Sequence, residues 1–311
     1  MAPAVDLLRV HHLATVTREV DERLWTLSRQ GRAGFVLTAR GHEVAQIASA
    51  LALRPGVDSA WLYYRDLGVA LTLGVTPYEI FLGALAKATD PHSGGRQLTS
   101  HFSSRDLRIG SVSSEVGGHL PHAAGAAYAA TVLGEDAVAV CWFGDGAASE
   151  GGTHEAMNLA GANRWPVVFI CENNGLAISV PIEKQMGAPV AARAAGYGMP
   201  GVTVDGTDAD AVHGATAAAV ERARTGGGPS LLELLVPRIV PHSSQDDDRY
   251  RTDDERAALA DPLVRLRAGL DPEVVAAEQQ RVKDLVRADL DRALAEPDPT
   301  PDRARRWLYA S

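Results

Sequence analysis

The sequence predicts a doubly wound α/β fold: a mainly parallel sheet with helices on both faces, helices before it and a helical C-terminal extension. Three observations support this class. Apolar runs of five to seven residues, "AVAVCWF", "PVVFICE" and "SLLELLV", read as strands buried on both faces. Segments of helical periodicity alternate with them, the pattern of parallel strands joined by crossover helices. The chain has 311 residues, 46% hydrophobic and 22% charged, which is ample for a sizeable core.

From about residue 6, Leu7, Val10, Leu13, Val16, Val20, Leu24 and Leu27 recur at steps of three and four, so an amphipathic helix opens the chain. A second helix, "HEVAQIASALAL", runs into the turn "RPGVD". In the next segment Pro77 suits a helix first turn, with Thr76 as its cap. Residues 89–118 are rich in Gly, Ser and Asp and read as a long loop, a feature uncommon in compact domains unless it has a function. The Ala-rich helix "LPHAAGAAYAATVLG" then leads into strand, helix, strand up to "PVVFICE". "VTVDG", the helix "DADAVHGATAAAVERARTGGG" and "SLLELLV" complete the α/β part. A last helix follows Asp271 and Pro272 and stops at "EPDPTP". One domain is expected over 1–311, with N-terminal helices over 1–54, the α/β core over 55–262 and the helical tail over 263–311.

A formal charge of −9, with acidic residues spread out apart from "QDDDRY", argues against a nucleic-acid face. No apolar stretch reaches the ~18–20 uncharged residues of a membrane span. The start, "MAPAVDLLRVHH", lacks the basic, apolar and small-residue order of a secretory signal, so a cytoplasmic protein is expected. Cys141 and Cys171 lie in expected buried strands without metal-like spacing and read as small core hydrophobes.

The stretch "GDGAASEGGTHEAMNLAGANRWPVVFICENN", residues 144–174, carries the chemistry. A right-handed strand, crossover, strand unit brings the loops after "VCWF" and "VFICE" to the same carboxyl edge of the sheet, where ligands of such sheets bind. Asp145 then offers a carboxylate and Asn174 a neutral oxygen to one point, with Gly144 and Gly146 admitting a bulky anion. One carboxylate, neutral oxygens and phosphate oxygens together suit magnesium. A nicotinamide fingerprint fails because Ser149 stands where its third glycine falls, and "HEAMN" lacks the second histidine of a metalloprotease. His154 and Glu155 read as ordinary helix residues. "GDG" alone could be a tight turn, and its pairing with "NN" in this topology favours the site.

"GDG", then twenty-six residues, then "NN" is similar to the thiamin-diphosphate signature. From about residue 20 to 270 the chain resembles the alpha subunit of the decarboxylating component of 2-oxo acid dehydrogenase complexes. "YYRDLGVAL", "DPHSGGRQ", "CENNGLAISVP", "RAAGYGMPGVTVDG" and "PHSSQDDDRYR" match the branched-chain type more closely than the pyruvate type.

The resemblance implies a thiamin-diphosphate-binding fold and the following roles. Asp145, Asn174 and the carbonyl of Leu176 would ligate Mg2+. Gly144, Gly146 and Ala147 would meet the diphosphate through their main chain, and Tyr64 and Arg65 would hold it, as a guanidinium fork matches phosphate oxygens. Ser114 and Val116 would border the aminopyrimidine. His242 would sit over the thiazolium, where a titratable imidazole can bind the cofactor phosphate, stabilise the substrate-derived intermediate or assist transfer of the acyl group. A 2-oxo acid would lose carbon dioxide and reductively acylate a lipoyl group on an acyltransferase component. The glutamate that activates the cofactor would belong to a beta subunit, in an assembly of two alpha and two beta chains. The same chemistry on pyruvate or acetoin, a biosynthetic acyl transfer, and a catalytically silent subunit are the alternatives. Departures from the pattern are Leu176 for the usual tyrosine, His42 for the glutamine of "GQE", and Glu115, Gly118 and His119 for Pro, Thr and Gln, the latter two near a potassium site.

Overall fold

The structure, a computed structural model, describes residues 4–305. The first three residues of the N-terminal segment and the part of the expected tail beyond 305 lie outside the described residues. Five parallel strands make the main sheet, in the spatial order β1 (Ser59–Trp61), β2 (Ala139–Gly144), β3 (Val167–Asn173), β7 (Ser230–Leu235) and β6 (Gly201–Asp205). A small antiparallel hairpin, β4 (Leu176–Ala177) and β5 (Val180–Pro181), follows β3. β1 and the hairpin are not visible in the sequence pattern, because two or three residues are too few to show alternation.

Alternation along the strands creates two cores, one per face. Ala139, Cys141, Phe143, Val167, Phe169, Cys171 and Leu231 pack with α5 (His119–Leu133) and α6 (Gly151–Asn163). Val138, Val140, Trp142, Val168, Ile170, Leu232 and Leu234 join the core of α1 (Leu7–Arg29), α2 (Glu43–Ala50) and α7 (Ala209–Arg224). Trp142 is fully buried, and its indole N–H donates to the Ser49 hydroxyl at 2.9 Å, so the polar end of the ring is satisfied. Both cysteines are buried and free, the core role expected of them.

Local chemistry sets the helix ends. In α4 (Pro77–Ala84) Thr76 and Glu79 form a reciprocal capping box, with Pro77 in the first turn. α3 (Leu67–Leu73) precedes it. Residues 89–118 contain no helix or strand, as expected. Their first turn winds round the Asp90 carboxylate, which accepts from the backbone N–H groups of His92, Ser93 and Gly95 at 3.0, 3.0 and 3.1 Å.

After the sheet come α8 (Asp253–Ala257), α9 (Pro262–Ala268) and α10 (Pro272–Ala295). Asp271 caps α10 by accepting from Glu273 and Val274 N–H, and Pro272 occupies the first turn. α10 lies against α1 and α4 and buries Val282, Val286 and Ala293 there. Arg18 of α1 grips Asp261 with two bonds of 2.8 and 3.0 Å and Glu43 with one of 2.6 Å, tying α9 to the N-terminal helices. No helix among the described residues is long and apolar enough to cross a membrane.

Because α10 shares a core with α1 and α4, Val286→Ala should destabilise the whole chain and not the tail alone. We expect a loss of about 2 kcal/mol, with tail and sheet unfolding in one transition in guanidinium followed by circular dichroism and tryptophan fluorescence. Two separated transitions would show the tail to be an independent unit.

Candidate active site

β2 and β3 run in register, with Phe143 opposite Cys171 and Gly144 opposite Glu172. The chain therefore leaves both strands at the same edge. There it opens into a cleft of about 820 Å³, counting its mouth, lined by Tyr64, Arg65, Val116, Asp145, Asn174 and His242 among others.

Asp145 starts a short 3₁₀ turn (Asp145–Ser149) directly after β2. It is only 1% exposed. Its side-chain donor is Gln185 Nε2, at a long 3.4 Å. Burial pushes its carboxyl above the usual range, a cost that a bound cation would relieve. Asn174 follows β3, and its Oδ1 accepts from Leu176 N–H at 3.1 Å. Gly175, between them, has φ +79°, which a side chain would strain.

Arg65 reaches the cleft from the turn after β1. The buried Asp66 carboxyl holds that turn by accepting from Tyr63 N–H at 2.8 Å, and Gln46 donates to the Arg65 carbonyl at 3.1 Å. Arg65 is 3% exposed, and its guanidinium spends its donors on neutral groups: the Thr38 carbonyl at 2.7 Å and His242 Nδ1 at 3.2 Å. Tyr64 stands edge-on to the His242 ring, with centroids 6.1 Å apart, and its own ring lies 5.6 Å from the Arg65 guanidinium carbon.

His242 is held by its own loop, since Asp246 accepts from its backbone N–H at 2.7 Å. The loop is pinned to the N-terminal segment by Ser244 N–H, which donates to the Val36 carbonyl at 2.8 Å. Burial, then the Arg65 and Arg238 charges, lower the His242 pKa from 6.5 to about 3. With Nδ1 taken up as acceptor by Arg65, the neutral ring carries its proton on Nε2.

Nearly all the residues expected from the sequence line this one cleft: Tyr64, Arg65, Val116, Gly144, Asp145, Gly146, Ala147, Asn174, Leu176 and His242. Ser114 does not. Its hydroxyl is engaged by His101 Nε2 at 2.8 Å, and Ser113 lines the cleft in its place. The two glycines differ as well. A Cβ on Gly146 would meet that of Ala177 at 2.9 Å, whereas one on Gly144 would make ordinary contact with Tyr63 at 3.7 Å. His154 is a helix residue bonded to the Tyr197 hydroxyl, in keeping with its bland reading.

Two residues escaped the sequence reading. Arg238 is 1% exposed and donates to the Ile178 carbonyl at 2.9 Å and the Tyr250 hydroxyl at 2.6 Å, while its Nε and Nη1 have no partner among the described residues. Glu172 is fully buried at the end of β3. A carboxylate closing the otherwise apolar run "VVFIC" was the one available signal for it.

The model of the dehydrogenase E1 component family matches residues 11–304. The chain belongs to that family. It is 41% identical to the 2-oxoisovalerate dehydrogenase subunit alpha of Bacillus subtilis, over 99% of this chain and 95% of that protein. It is 38% identical to the 3-methyl-2-oxobutanoate dehydrogenase subunit alpha of Mycobacterium tuberculosis, over 99% and 84%. The mitochondrial 2-oxoisovalerate dehydrogenase subunit alpha of Homo sapiens is 34% identical, over 96% and 69%.

Dehydrogenase E1 membership implies thiamin diphosphate, and the residues present fit it. Arg65 is a buried cation bonded to neutral groups, and Arg238 a second with orphaned donors, which together call for an anion such as a diphosphate. Asp145 is a buried carboxylate that makes no ion pair among the described residues and whose carboxyl burial pushes up, which calls for a cation.

The depressed His242 pKa is open to a direct check. In the cofactor-free chain its imidazole carbon shifts should remain those of the neutral ring down to about pH 5. Protonation favours the unfolded chain, so the stability tied to neutral His242 is complete above pH 6.5 and is lost as the pH falls toward about 3. A titration midpoint near 6.5 would remove the burial argument.

Proposed function

We propose that this chain is the alpha subunit of an E1 component that decarboxylates branched-chain 2-oxo acids, with thiamin diphosphate and Mg2+ held between it and a beta subunit. The acyl group then passes to the lipoyl group of an acyltransferase partner. One observation carries the reading: a carboxylate in need of a cation and guanidinium groups in need of an anion line or adjoin one cleft at the carboxyl edge of the sheet. The names of the Bacillus, Mycobacterium and human relatives support the branched-chain substrate.

Thiamin diphosphate, when bound, supplies the carbanion chemistry by which a 2-oxo acid loses carbon dioxide. The protein binds, orients and polarises. Asp145, Asn174 and the Leu176 carbonyl would hold Mg2+, one carboxylate with two neutral oxygens, leaving further positions to phosphate oxygens and water. Among the described residues no group of three His, Cys, Asp or Glu forms a metal cage, so a protein-only transition-metal site does not compete. Arg65 and Tyr64 would hold the diphosphate, with the main chain of Gly144, Gly146 and Ala147. Val116 would border the aminopyrimidine, with Ser113 beside it in place of the Ser114 expected from the resemblance.

His242 would present its Nε2–H toward the reacting groups. A ring kept neutral between two arginines can donate from Nε2 without adding positive charge to the site. Tyr128, Val132, Leu133 and Leu159 are exposed apolar side chains on α5 and α6. They offer a surface that a beta subunit would cover, in an assembly of two alpha and two beta chains.

Asp145→Ala should abolish magnesium-dependent binding of thiamin diphosphate by calorimetry, and retained affinity would remove the metal assignment. Arg65→Ala should weaken cofactor binding by about tenfold or more. Co-expressed with its beta subunit and given a panel of 2-oxo acids with dye reduction as readout, the enzyme should prefer branched substrates. Preference for pyruvate would overturn the substrate. Dye reduction by the isolated chain at the rate of the assembly would overturn the two-subunit site.

A further inference from the structure

Beneath the cleft lies a closed polar cluster that the proposed chemistry does not use. His42, at the N-cap of α2, is fully buried, yet its side chain makes no capping bond. Its ring spans two groups instead. Nδ1 lies 2.6 Å from Glu172 Oε2, and Nε2 lies 3.4 Å from Asn174 Nδ2. The same Glu172 oxygen also accepts from Gln46 Nε2 and the Tyr63 hydroxyl, each at 3.0 Å.

These contacts form a directional chain. A carboxylate oxygen already taking two donors can only accept from the imidazole, so the ring proton sits on Nδ1. Nε2 then offers a lone pair, and the group facing it must be a donor. That group is the Asn174 amide nitrogen. An amide is planar, so fixing its nitrogen inward fixes its oxygen on the other side, where Oδ1 accepts one hydrogen bond among the described residues, from the Leu176 N–H, and keeps a second lone pair.

We propose that His42 is a positioning residue for Asn174: it holds the amide so that the carbonyl oxygen, and not the nitrogen, is available to the cation in the cleft. This rests on the reading above that Asn174 ligates the metal. Asn174 and Asp145 follow adjacent strands and differ in how they meet that task. The two oxygens of Asp145 are equivalent, so either can face the metal, whereas Asn174 has one useful face and requires a group to choose it. Outer partners that orient a ligand are worth about 10–100-fold in metal affinity.

The test uses the alpha and beta assembly with thiamin diphosphate and Mn2+ as the probe, the free ion being counted by electron paramagnetic resonance. His42→Leu should weaken Mn2+ binding by about tenfold. His42→Gln should retain it, because a glutamine amide also has one donor for Glu172 and one acceptor for the Asn174 nitrogen. Should the leucine variant not fold, His42→Asn serves in its place, since its amide is one carbon shorter and does not span both partners. In the Asn174→Asp background, where both ligand faces are oxygen, removal of His42 should no longer weaken Mn2+ binding. Wild-type affinity in His42→Leu or His42→Asn would overturn the inference, as would an equal loss in His42→Gln or a loss that persists with Asn174→Asp. Failure of the wild-type assembly to bind Mn2+ at all would instead overturn the metal site itself.

Discussion

The parallel pairing of β2 with β3, which sets Gly144 opposite Glu172, is the constraint on which the site depends. A parallel pair needs a crossover, and here α6 supplies it, buried through Ala156, Met157 and Ala160 against one face of the sheet. Both strand ends then discharge their loops at one edge. A shift of one residue in that register would turn Phe143 and Cys171 toward the opposite core, so packing on both faces holds Asp145 and Asn174 where they are.

The second requirement is charge held without its counter-charge. Arg65 and Arg238 are buried among neutral partners, and Asp145 is buried with a single long side-chain bond. Leaving such groups unpaired is costly, and a folded chain retains them where a ligand completes the set. By contrast, Asp66 and Glu172 settle their conflict internally. Burial and the neighbouring Glu172 charge push the Asp66 carboxyl well above its ordinary range, so it keeps its proton while Glu172 collects donors from His42, Gln46 and Tyr63. The layer behind the cleft thus keeps one negative charge, on Glu172, stabilised by donors within the fold, whereas the charges at the cleft are left for what binds.

Stability and function meet in the N-terminal segment. Asp21, fully buried in α1, accepts from Ala39 N–H at 3.1 Å and the Thr38 hydroxyl at 3.2 Å, and so shapes the stretch whose Thr38 carbonyl receives Arg65. The His242 loop docks on the same segment through Val36 and Ser244. The first forty residues are therefore part of the wall that orients the anion-binding side chains.

The sequence by itself determined the fold class, the long helices, the caps at Thr76 and Asp271, and the pairing of "GDG" with "NN" at one sheet edge. These are local or periodic features: strand runs such as "PVVFICE" and stop signals such as Asp271 with Pro272 carry their information within a few residues. Only the tertiary structure decided that Ser113, and not Ser114, lines the cleft, because Ser114 is drawn to His101 across a loop without periodicity. It alone brought in Arg238 and joined His42 to Glu172 and Asn174, residues about 130 positions apart. Such contacts depend on where the packed sheet delivers each loop, and no spacing along the chain encodes that distance.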